Sequence, residues 1–384
     1  RADRVSRVTE DEAQTAATGG PVKVVGAGLL GASVGLGLST RGVQVTLEDA
    51  SPTALALARD LGAGSAARAE DPQPAVVVVA TPPDVTAETV AAQLRAHPDA
   101  VVTDVASVKS AVLAELAAMP PEQRPGWERY VGSHPMAGRE RSGPSGASAD
   151  LFAARPWVIA DGGSSSRDAV LAVRALAVDL GAIPVMLSPT EHDDAVALVS
   201  HLPQVASSLV AGALADAPES ALALAGQGLR DVTRVAASNP MLWASILAGN
   251  AEPVARTLRG LQRDLTAVID ALDAAAESGA AAPGALQALA AVIVAGNAGV
   301  ARIPGKHGGA ARRYGEVTVL VPDRPGELGR LFTEVGEIGV NIEDLSLEHS
   351  PRQKVGMATL AVWPSEVRTL EEALEGRGWR VVYG

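Results

Sequence analysis

A glycine-rich turn between a strand and a helix constrains the fold of this chain more than any other sequence feature. The turn reads Gly-Ala-Gly-Leu-Leu-Gly from Gly26 to Gly31 and directly follows the β-branched run Val22–Val25. A helical stretch then extends from Leu29 to Arg41, and Val43–Leu47 alternates like a second strand. This order predicts one βαβ unit.

Further strands extend the βαβ unit into a sheet. Ala75–Ala80 is a continuous apolar run, and shorter apolar runs follow at Val101–Val105, Trp157–Ala160 and Ile183–Leu187. Fully apolar strands of this kind are typical of a Rossmann-type, doubly wound parallel α/β sheet. We therefore expect a first domain over residues 21–187, preceded by a flexible tail over residues 1–20.

The chain changes character after Ser188. Long Ala- and Leu-rich stretches of helical period predict an all-α domain over residues 188–302. Its helices have more apolar faces than one layer can bury against the sheet, so we expect a homodimer interface. Residues 303–313 are rich in glycine and basic side chains and are predicted to be a linker. Residues 314–384 are predicted to form a small α+β domain of βαββαβ order.

The glycine turn has the residues that a nucleotide-binding loop needs. Gly26 allows a tight turn, Gly28 lets a pyrophosphate approach the backbone, and Gly31 lets the helix and strand pack closely. Backbone amides at the helix start, including those of Leu29 and Leu30, can bind the phosphates. The first domain is therefore predicted to bind a dinucleotide.

Two further positions favour NAD as that dinucleotide. Asp49, beside Glu48, ends the second strand, where a carboxylate would accept hydrogen bonds from the adenosine ribose and repel a 2′-phosphate. Thr81 and Pro82 follow a later parallel strand, and ligands of such sheets gather at the carboxyl ends of the strands. We expect NAD in preference to NADP.

Charge and composition exclude several classes of function. The chain has 32 Lys and Arg against 44 Asp and Glu, so the basic footprint of a nucleic-acid or anionic-membrane binder is missing. It has no cysteine, which excludes a thiolate zinc site and a cysteine nucleophile. The apolar stretch Gly284–Ala301 contains Gln287 and Asn297 and is predicted to be a packed helix rather than a membrane span. We expect a cytoplasmic enzyme.

Histidine and arginine residues supply the candidate chemistry. His134 lies in the segment Gly-Ser-His-Pro-Met-Ala-Gly, Ser107 follows the strand Val101–Val105, and His201 begins Ser-His-Leu-Pro after its serine. Arg230 and Arg234 lie in one short basic turn. Imidazoles and paired arginines beside an NAD site suggest the oxidation of an alcohol on a substrate that carries a carboxylate.

Taken together, these segments resemble the prephenate/arogenate dehydrogenase family of tyrosine biosynthesis. GAGLLG, DVASVK, GSHPMAG, SHLP, GLRDVTR and MLWASILAGN occur in the family's order and spacing between Val22 and about Asn250. The later segments VPDRPGEL and GVNI resemble an ACT regulatory domain, which some members of the family carry. Ala106 stands where many relatives have glycine, and we expect a stiffer turn there with unchanged chemistry.

The resemblance implies the NAD-dependent oxidative decarboxylation of prephenate to 4-hydroxyphenylpyruvate, with arogenate as the alternative substrate. His134 would take the proton of the substrate's 4-hydroxyl while hydride leaves C4 for NAD. Ser107 would hold the hydroxyl and the nicotinamide in register, and Arg234 would bind the ring carboxylate. Three more side chains would line the same pocket: His201, Arg230 and Trp243. Ring aromatisation drives the decarboxylation, so no metal site is expected.

Structural roles remain open for several of these residues. Ser107 is expected to cap a helix that starts at Val108, which is compatible with a catalytic role. His192 lies in an acid-rich helix start and is expected to be structural and not a metal ligand. His201 could be a capping or inter-domain contact, and Trp243 could be a core residue.

Other functions also remain open. Arg230 could form a surface ion pair with Asp231 instead of binding substrate. A β-hydroxyacid or imine reductase would explain the scaffold but not GSHPMAG together with RDVTR. A protein of another class, an amino-acid sensor that keeps NAD as a structural ligand, would form no NADH with prephenate.

The predicted small domain contains a candidate effector site. Asp323, Pro325 and Gly326 form a turn directly before a helix that contains Leu328. Amides at that helix start could bind the carboxylate of an amino acid. Asn341, followed by Ile342 at the start of the next strand, could form a hydrogen bond to the amino group of an amino acid bound at a second, paired domain. We expect an aromatic amino acid such as tyrosine, acting as an inhibitor. The alternative is a dimerising module with an empty turn.

Overall fold

An eight-stranded sheet organises the first part of the chain in the computed structural model, which describes residues 16–138, 143–279, 283–304, 314–349 and 355–382. Its strands are β1 Val22–Val25, β2 Val45–Glu48, β3 Ser65–Ala66, β4 Val76–Val79, β5 Val101–Asp104, β6 Tyr130–Pro135, β7 Pro156–Ala160 and β8 Ile183–Leu187. They pair in the order β3-β2-β1-β4-β5-β6-β7-β8, so the order reverses between β1 and β4. Ligands of α/β sheets bind outside the carboxyl ends of the strands at such a reversal.

The sheet is parallel from β3 to β6 but not beyond. β6 and β7 pair antiparallel, with His134 opposite Val158, and β7 then pairs parallel with β8. The prediction of a parallel sheet is therefore wrong for the last two strands. The physical reason lies in the connection between β6 and β7, since a parallel return needs a crossover, usually a helix, whereas this connection brings the chain back in the opposite direction.

Helices cover both faces of the sheet. They are α1 Leu29–Ser39, α2 Pro52–Asp60, α3 Pro83–Ala96, α4 Ser110–Ala118 and α5 Arg167–Asp179. One core contains residues of α1, α2 and α5, together with the fully buried Phe152 and Trp157, whose rings meet edge to face. A second core contains residues of α3 and α4 on the opposite face. Val, Ala and Leu fill most of both cores, as in a doubly wound sheet.

The next part of the chain is helical, as predicted. Its helices are α6 Pro189–Val196, α7 Leu202–Gly212, α8 Glu219–Leu222, α9 Gln227–Thr233, α10 Pro240–Gly249, α11 Ala251–Ser278 and α12 Ala285–Val300. A π-helical turn, Ala197–His201, joins α6 to α7. Ser188 and Glu191 form a capping box at the start of α6, because each side chain accepts a hydrogen bond from the backbone amide of the other.

The continuous helical run Pro189–Gly212 is long and apolar enough, by length and composition, to cross a membrane, and it is the one such run among the described residues. Its His192, Asp193 and His201 are nevertheless buried, and each makes polar contacts within the fold. Core helices of globular proteins pass the same length and composition test.

The chain divides into two compact units. The first contains the described residues up to 215 together with 233–259, and the second contains 216–232 together with the described residues from 260 onward. Helices α6, α7 and α10 thus belong to the same unit as the large sheet. Within that unit, the backbone amides of Ala17 and Thr18, which fall in the predicted tail, donate hydrogen bonds to Asp179. Residues 1–15 of that tail and 305–313 of the predicted linker lie outside the described residues.

The second unit ends in a small α+β domain. Its elements are β9 Gly315–Pro322, α13 Glu327–Ile338, β10 Asp344–His349, β11 Val355–Val362, α14 Val367–Gly376 and β12 Arg380–Val382, which is the predicted βαββαβ order. The four strands form an antiparallel sheet in the order β10-β11-β9-β12. Both helices pack on it through Leu331, Val335, Leu370 and Leu374. Strand β10 begins at Asp344, so Asn341 and Ile342 precede it instead of starting it.

Candidate active site

The glycine turn has the geometry of a phosphate cradle. Gly26 adopts a φ of +101°, and a Cβ there would lie 2.4 Å from the carbonyl oxygen of Ala80. A Cβ on Gly31 would lie 1.8 Å from the carbonyl oxygen of Gly26, so this position also admits only glycine. At Gly28, by contrast, no atom beyond the adjoining residues of the chain lies within 4 Å of where a Cβ would be. The second glycine therefore leaves open the space that a pyrophosphate would occupy.

Asp49 is anchored to this turn. Its Oδ2 accepts a hydrogen bond from the backbone amide of Ala27 at 2.6 Å, and its Oδ1 accepts one from the amide of Ser51 at 2.7 Å. The neighbouring Glu48 instead pairs with Lys23, with its Oε2 2.7 Å from Nζ. Of the two acids, Asp49 is thus the one held beside the turn.

The remaining predicted cofactor residues lie around the same turn. Leu29 and Leu30 form the half-buried first turn of α1, where intrahelical hydrogen bonding begins with the amide of Ala32. Thr81 and Pro82 follow β4, and the Thr81 hydroxyl lies 3.2 Å from that of Thr86. The open space at Gly28, the helix start and the Asp49 carboxylate together fit the pyrophosphate and ribose of NAD.

His134 lies near the carboxyl end of β6 and contacts a second histidine. Its Nδ1 is 2.9 Å from Nε2 of His192 in α6, and the two rings meet edge to face with centroids 5.1 Å apart. His192 Nδ1 in turn lies 2.8 Å from Oδ1 of Asp193. The expectation that His192 is only structural did not foresee this contact with the predicted base.

Asp193 also caps the helix that follows Ser107. Its Oδ1 accepts from the amide of Lys109 at 2.9 Å, and its Oδ2 accepts from the amide of Ser110 at 2.8 Å. Helix α4 begins at Ser110 and has no cap from a neighbouring side chain. The prediction that Ser107 caps a helix starting at Val108 is therefore wrong, because a carboxylate from α6 takes that role.

His201 lies at the end of the π-helical turn and is buried. Its Nδ1 is 3.1 Å from Nδ2 of Asn250, which also donates to the backbone oxygen of Asp193 at 2.8 Å. The His201 ring meets the half-buried Trp243 edge to face, with centroids 6.0 Å apart. Among the predicted pocket residues, His201 and Trp243 are thus in contact with each other.

The two arginines lie in different units. Arg234 is exposed and opens a short 3₁₀ turn, Arg234–Ala236, that packs against α7. The hydroxyl of Ser238 donates to the backbone oxygen of Val235 at 2.7 Å, which closes this turn. Arg230 is exposed in α9 of the second unit, where the Asp231 carboxylate accepts from Gln227 at 2.7 Å.

Burial lowers the pKa of two imidazole groups of the site, His134 and His201. Desolvation, reinforced by His192, Lys109 and His201, holds the pKa of His134 well below its usual range, against the opposing effect of Asp193. Burial likewise lowers the pKa of His201 to about 4. A neutral His134 can accept a proton at physiological pH, which is what a general base must do.

A buried ion pair connects β5 and β6 next to these groups. Lys109 Nζ pairs with the Asp104 carboxylate and donates to the backbone oxygen of Ser133 at 2.7 Å. The Tyr130 hydroxyl donates to Asp104 Oδ2 at 3.1 Å. Burial raises the pKa of Asp104 and lowers that of Lys109, while their contact opposes both shifts. Removing one partner of such a pair typically costs ~3–5 kcal/mol of stability.

A cavity of 240 Å³ in the small domain includes part of the predicted effector site. Asp323, Pro325, Gly326 and Leu328 line it, together with residues of the facing strands. Gly326 precedes α13 with a φ of +91°, a conformation that favours glycine. Asn341 and Ile342 are not among the lining residues; the side-chain amide of Asn341 donates to Glu343 Oε1 at 2.7 Å, and Ile342 packs against the domain core.

Sequence reasoning missed three residues that contact the predicted site histidines or each other: His192, Asp193 and Asn250. His192 lies 58 positions from His134 along the chain, so no local pattern relates them. The one available signal was the adjacent His-Asp pair in a helix start, because a histidine beside a carboxylate often has a fixed ring orientation.

Two family models match the chain. The model described as "Prephenate dehydrogenase, nucleotide-binding domain" matches residues 34–186. The model described as "Prephenate dehydrogenase, dimerization domain" matches residues 188–280.

Comparison with individual proteins and solved structures also finds prephenate and arogenate dehydrogenases. A Streptomyces niveus protein named "Probable prephenate dehydrogenase NovF" is 34% identical over 360 residues, which cover 93% of this chain and 98% of that protein. The crystal structure of Aquifex aeolicus prephenate dehydrogenase in complex with hydroxyphenyl propionate and NAD+ has a TM-score of 0.62 at 26% identity, covering 73% of this chain and 98% of that one. For Synechocystis arogenate dehydrogenase the TM-score is 0.57 at 28% identity, with coverage of 72% and 99%.

Proposed function

This chain belongs to the prephenate dehydrogenase family, and we propose that it oxidises prephenate with NAD to 4-hydroxyphenylpyruvate and carbon dioxide. The observation that supports this best is His134, a half-buried and neutral imidazole near the carboxyl end of β6. Strands β1, β4, β5 and β6 are parallel. The glycine turn, Ser107 and His134 therefore all lie toward the carboxyl ends of these strands. This arrangement supports a cofactor and a base on the same side of the sheet.

Side chains of this protein would transfer the proton and bind the carboxylate in this reaction. NAD, when bound, accepts the hydride from C4 of the substrate. As C4 is oxidised, the O–H bond of the 4-hydroxyl breaks and a new N–H bond forms on His134. The ring carboxylate then leaves as carbon dioxide, its bonding electrons complete the aromatic ring, and the proton returns from His134 to the phenolic oxygen.

The other site residues are proposed to bind and orient the substrate. A guanidinium can grip a carboxylate with two parallel hydrogen bonds, which suits Arg234 for the ring carboxylate. Ser107, in the loop after β5, would hold the hydroxyl and the nicotinamide in register. Three more residues are proposed as pocket lining: His201, Trp243 and Arg230.

Steady-state kinetics with purified protein test this function directly. We expect NADH formation that depends on prephenate, with 4-hydroxyphenylpyruvate as product. Arogenate, which carries an amine in place of the side-chain ketone, is the alternative substrate and should be compared in the same assay. A preference for arogenate of more than tenfold in kcat/KM, ~1.4 kcal/mol of transition-state binding, would reassign the substrate. No NADH with either substrate would refute the proposal.

A homodimer in the cytoplasm is proposed as the working form. The helical region leaves large apolar side chains exposed in the single chain, among them Leu209 at 66%, Leu224 at 86% and Met241 at 78% exposure. Apolar surface of this extent is typical of a protein interface. Sedimentation at micromolar concentration is expected to give a dimer, and a monomer would contradict the proposal.

The small domain is proposed to be an ACT-type regulatory domain that binds an aromatic amino acid, with tyrosine as the expected effector. The cavity at the turn before α13 supports this role, since helix-start amides favour a carboxylate. The effector would inhibit by binding the less active state more tightly, and such coupling is usually ~1–3 kcal/mol. The alternative is a purely dimerising domain with an empty turn.

A further inference from the structure

The Asp193 carboxylate determines which nitrogen of His192 carries a proton. Its two oxygens accept from the backbone amides of Lys109 and Ser110, which can only donate. Although burial raises the pKa of Asp193, hydrogen bonds from His192, Ser110 and Lys109 outweigh that effect and hold the pKa below its usual value. An ionised carboxylate only accepts, so His192 Nδ1, 2.8 Å from Oδ1, must be the donor.

The same reasoning extends from His192 to His134. In a neutral imidazole with its proton on Nδ1, the other nitrogen, Nε2, is an acceptor. His192 Nε2 lies 2.9 Å from His134 Nδ1, so His134 Nδ1 must carry the proton that joins them. His134 is neutral and has one ring proton to place, which leaves its Nε2 with a free lone pair.

We propose that His192 and Asp193 are positioning residues that hold His134 in the one tautomer able to accept the substrate's hydroxyl proton on Nε2. This inference rests on the proposed function, because the need for a base comes from the oxidation of an alcohol. When the proton arrives, the substrate O–H bond breaks, an Nε2–H bond forms and His134 becomes an imidazolium. The hydrogen bond from His134 Nδ1 to His192 persists through that change.

Asp193 ties the base to a second part of the site. The carboxylate that orients His192 also holds the amides of Lys109 and Ser110, which immediately follow the loop with Ser107 and Val108. His134 and Ser107 are therefore placed through one side chain of α6. Catalytic groups displaced by about 1 Å can lose ~10²-fold in rate, so a shared anchor matters for both.

A pair of substitutions separates orientation from packing. His192→Gln can place a side-chain oxygen where Nε2 stands and still accept from His134 Nδ1, whereas His192→Leu fills similar space without an acceptor. We expect kcat to fall at least ~10-fold in His192→Leu and to recover most of that loss in His192→Gln, because the contribution of a general base is typically 10²–10⁴-fold. The NAD affinity, measured by calorimetry, should be unchanged in both.

The matched control removes a histidine elsewhere in the same unit. His97→Gln alters a side chain whose contacts are Lys23 and Gln73, and it should leave kcat unchanged. Equal kcat values in His192→Leu and wild type would overturn the proposal, and so would an equal loss in His192→Leu and His192→Gln.

Nitrogen NMR of the full-length wild-type protein, labelled with ¹⁵N-histidine, reports the tautomer directly and needs no substrate. The His134 signals, identified by their loss in His134→Asn, should show a protonated Nδ1 and an unprotonated Nε2. A proton on Nε2 would refute the inference. A protonated Nδ1 in a protein that forms no NADH with prephenate or arogenate would refute the proposed function, and the base role with it, while leaving the tautomer assignment intact.

Discussion

Asp49 and the backbone amide of Ala27 are joined by a hydrogen bond of 2.6 Å, so the acid at the end of β2 cannot turn away from the glycine turn. A carboxylate fixed there accepts hydrogen bonds from ribose hydroxyls and repels a 2′-phosphate. Asp49→Asn keeps an acceptor for Ala27 but removes the charge, so the ratio of kcat/KM for NAD over NADP should fall at least ~10-fold, equal to ~1.4 kcal/mol.

Glu48→Gln is the matched control for that substitution. Glu48 pairs with Lys23, so its replacement should leave the cofactor ratio unchanged. Equal use of NAD and NADP by the wild-type enzyme would remove Asp49 from cofactor selection.

His134→Asn should lower kcat by ~10²–10⁴-fold, the usual range for loss of a general base. NAD binding should persist, because the glycine turn and Asp49 do not contact His134. Stopped-flow or steady-state NADH absorbance measures the rate, and calorimetry measures NAD affinity. A kcat near that of the wild type would exclude His134 as the base.

Arg234→Ala should act mainly through KM for prephenate. A carboxylate clamp contributes to substrate binding in the ground state as well as in the transition state, so KM rises with a smaller change in kcat. Arg256→Ala is a suitable control, because Arg256 is an exposed arginine that forms ion pairs with Asp194 and Glu252. An unchanged KM in Arg234→Ala would place that arginine outside the pocket.

Protein stability should decrease between pH 7 and 5. His201 has a pKa of about 4 in the folded protein against 6.5 when unperturbed, and the pKa of His134 is lowered as well. In this window the unfolded chain therefore binds more protons than the folded one, so the free energy of unfolding falls as the pH falls. Thermal unfolding should show a lower Tm at pH 5 than at pH 7, and the change of Tm with pH should be smaller in His201→Asn. An identical change of Tm with pH in the two proteins would contradict this account.

Calorimetry with tyrosine, phenylalanine and tryptophan tests the small domain. We expect tyrosine to bind the full-length protein and inhibit it. Leu328→Trp would fill the cavity and should abolish both effects, whereas Thr333→Trp adds the same side chain at an exposed position of α13. If none of the three amino acids binds, the domain has no sensor role of this kind.

The sequence predicts most of the local structure because it is encoded locally. The glycine turn at Gly26–Gly31, the helical region after Ser188 and the βαββαβ order of the small domain all follow from periodicity and turn residues. The antiparallel direction of β7 does not, because strand periodicity is the same in either direction. Periodicity also starts the second strand of the small domain at Asn341, whereas the strand begins at Asp344, because local pattern defines the end of an element less sharply than its type.

The contacts within the site depend on tertiary structure. Nothing near Asp193 in the sequence indicates that it caps α4, since the amides that it accepts from lie more than 80 positions earlier in the chain. Ser107 has the residue type of a helix cap, but propensity yields to a stronger acceptor brought in by the fold. His134 itself was predictable, because its surrounding motif carries the family resemblance.

The antiparallel pairing of β6 with β7 also determines which changes in the chain would displace His134. His134 stands opposite Val158, flanked by pairs that involve the fully buried Trp157 and Ile159. Side chains alternate between the two faces of a strand, so a slip of one residue would present Ser133 or Pro135 in place of the imidazole. The two buried residues of β7 oppose such a slip whatever the length of the connection between the strands. An insertion into that connection can therefore leave the base in register, as long as Leu151 and Phe152 keep their places in the core.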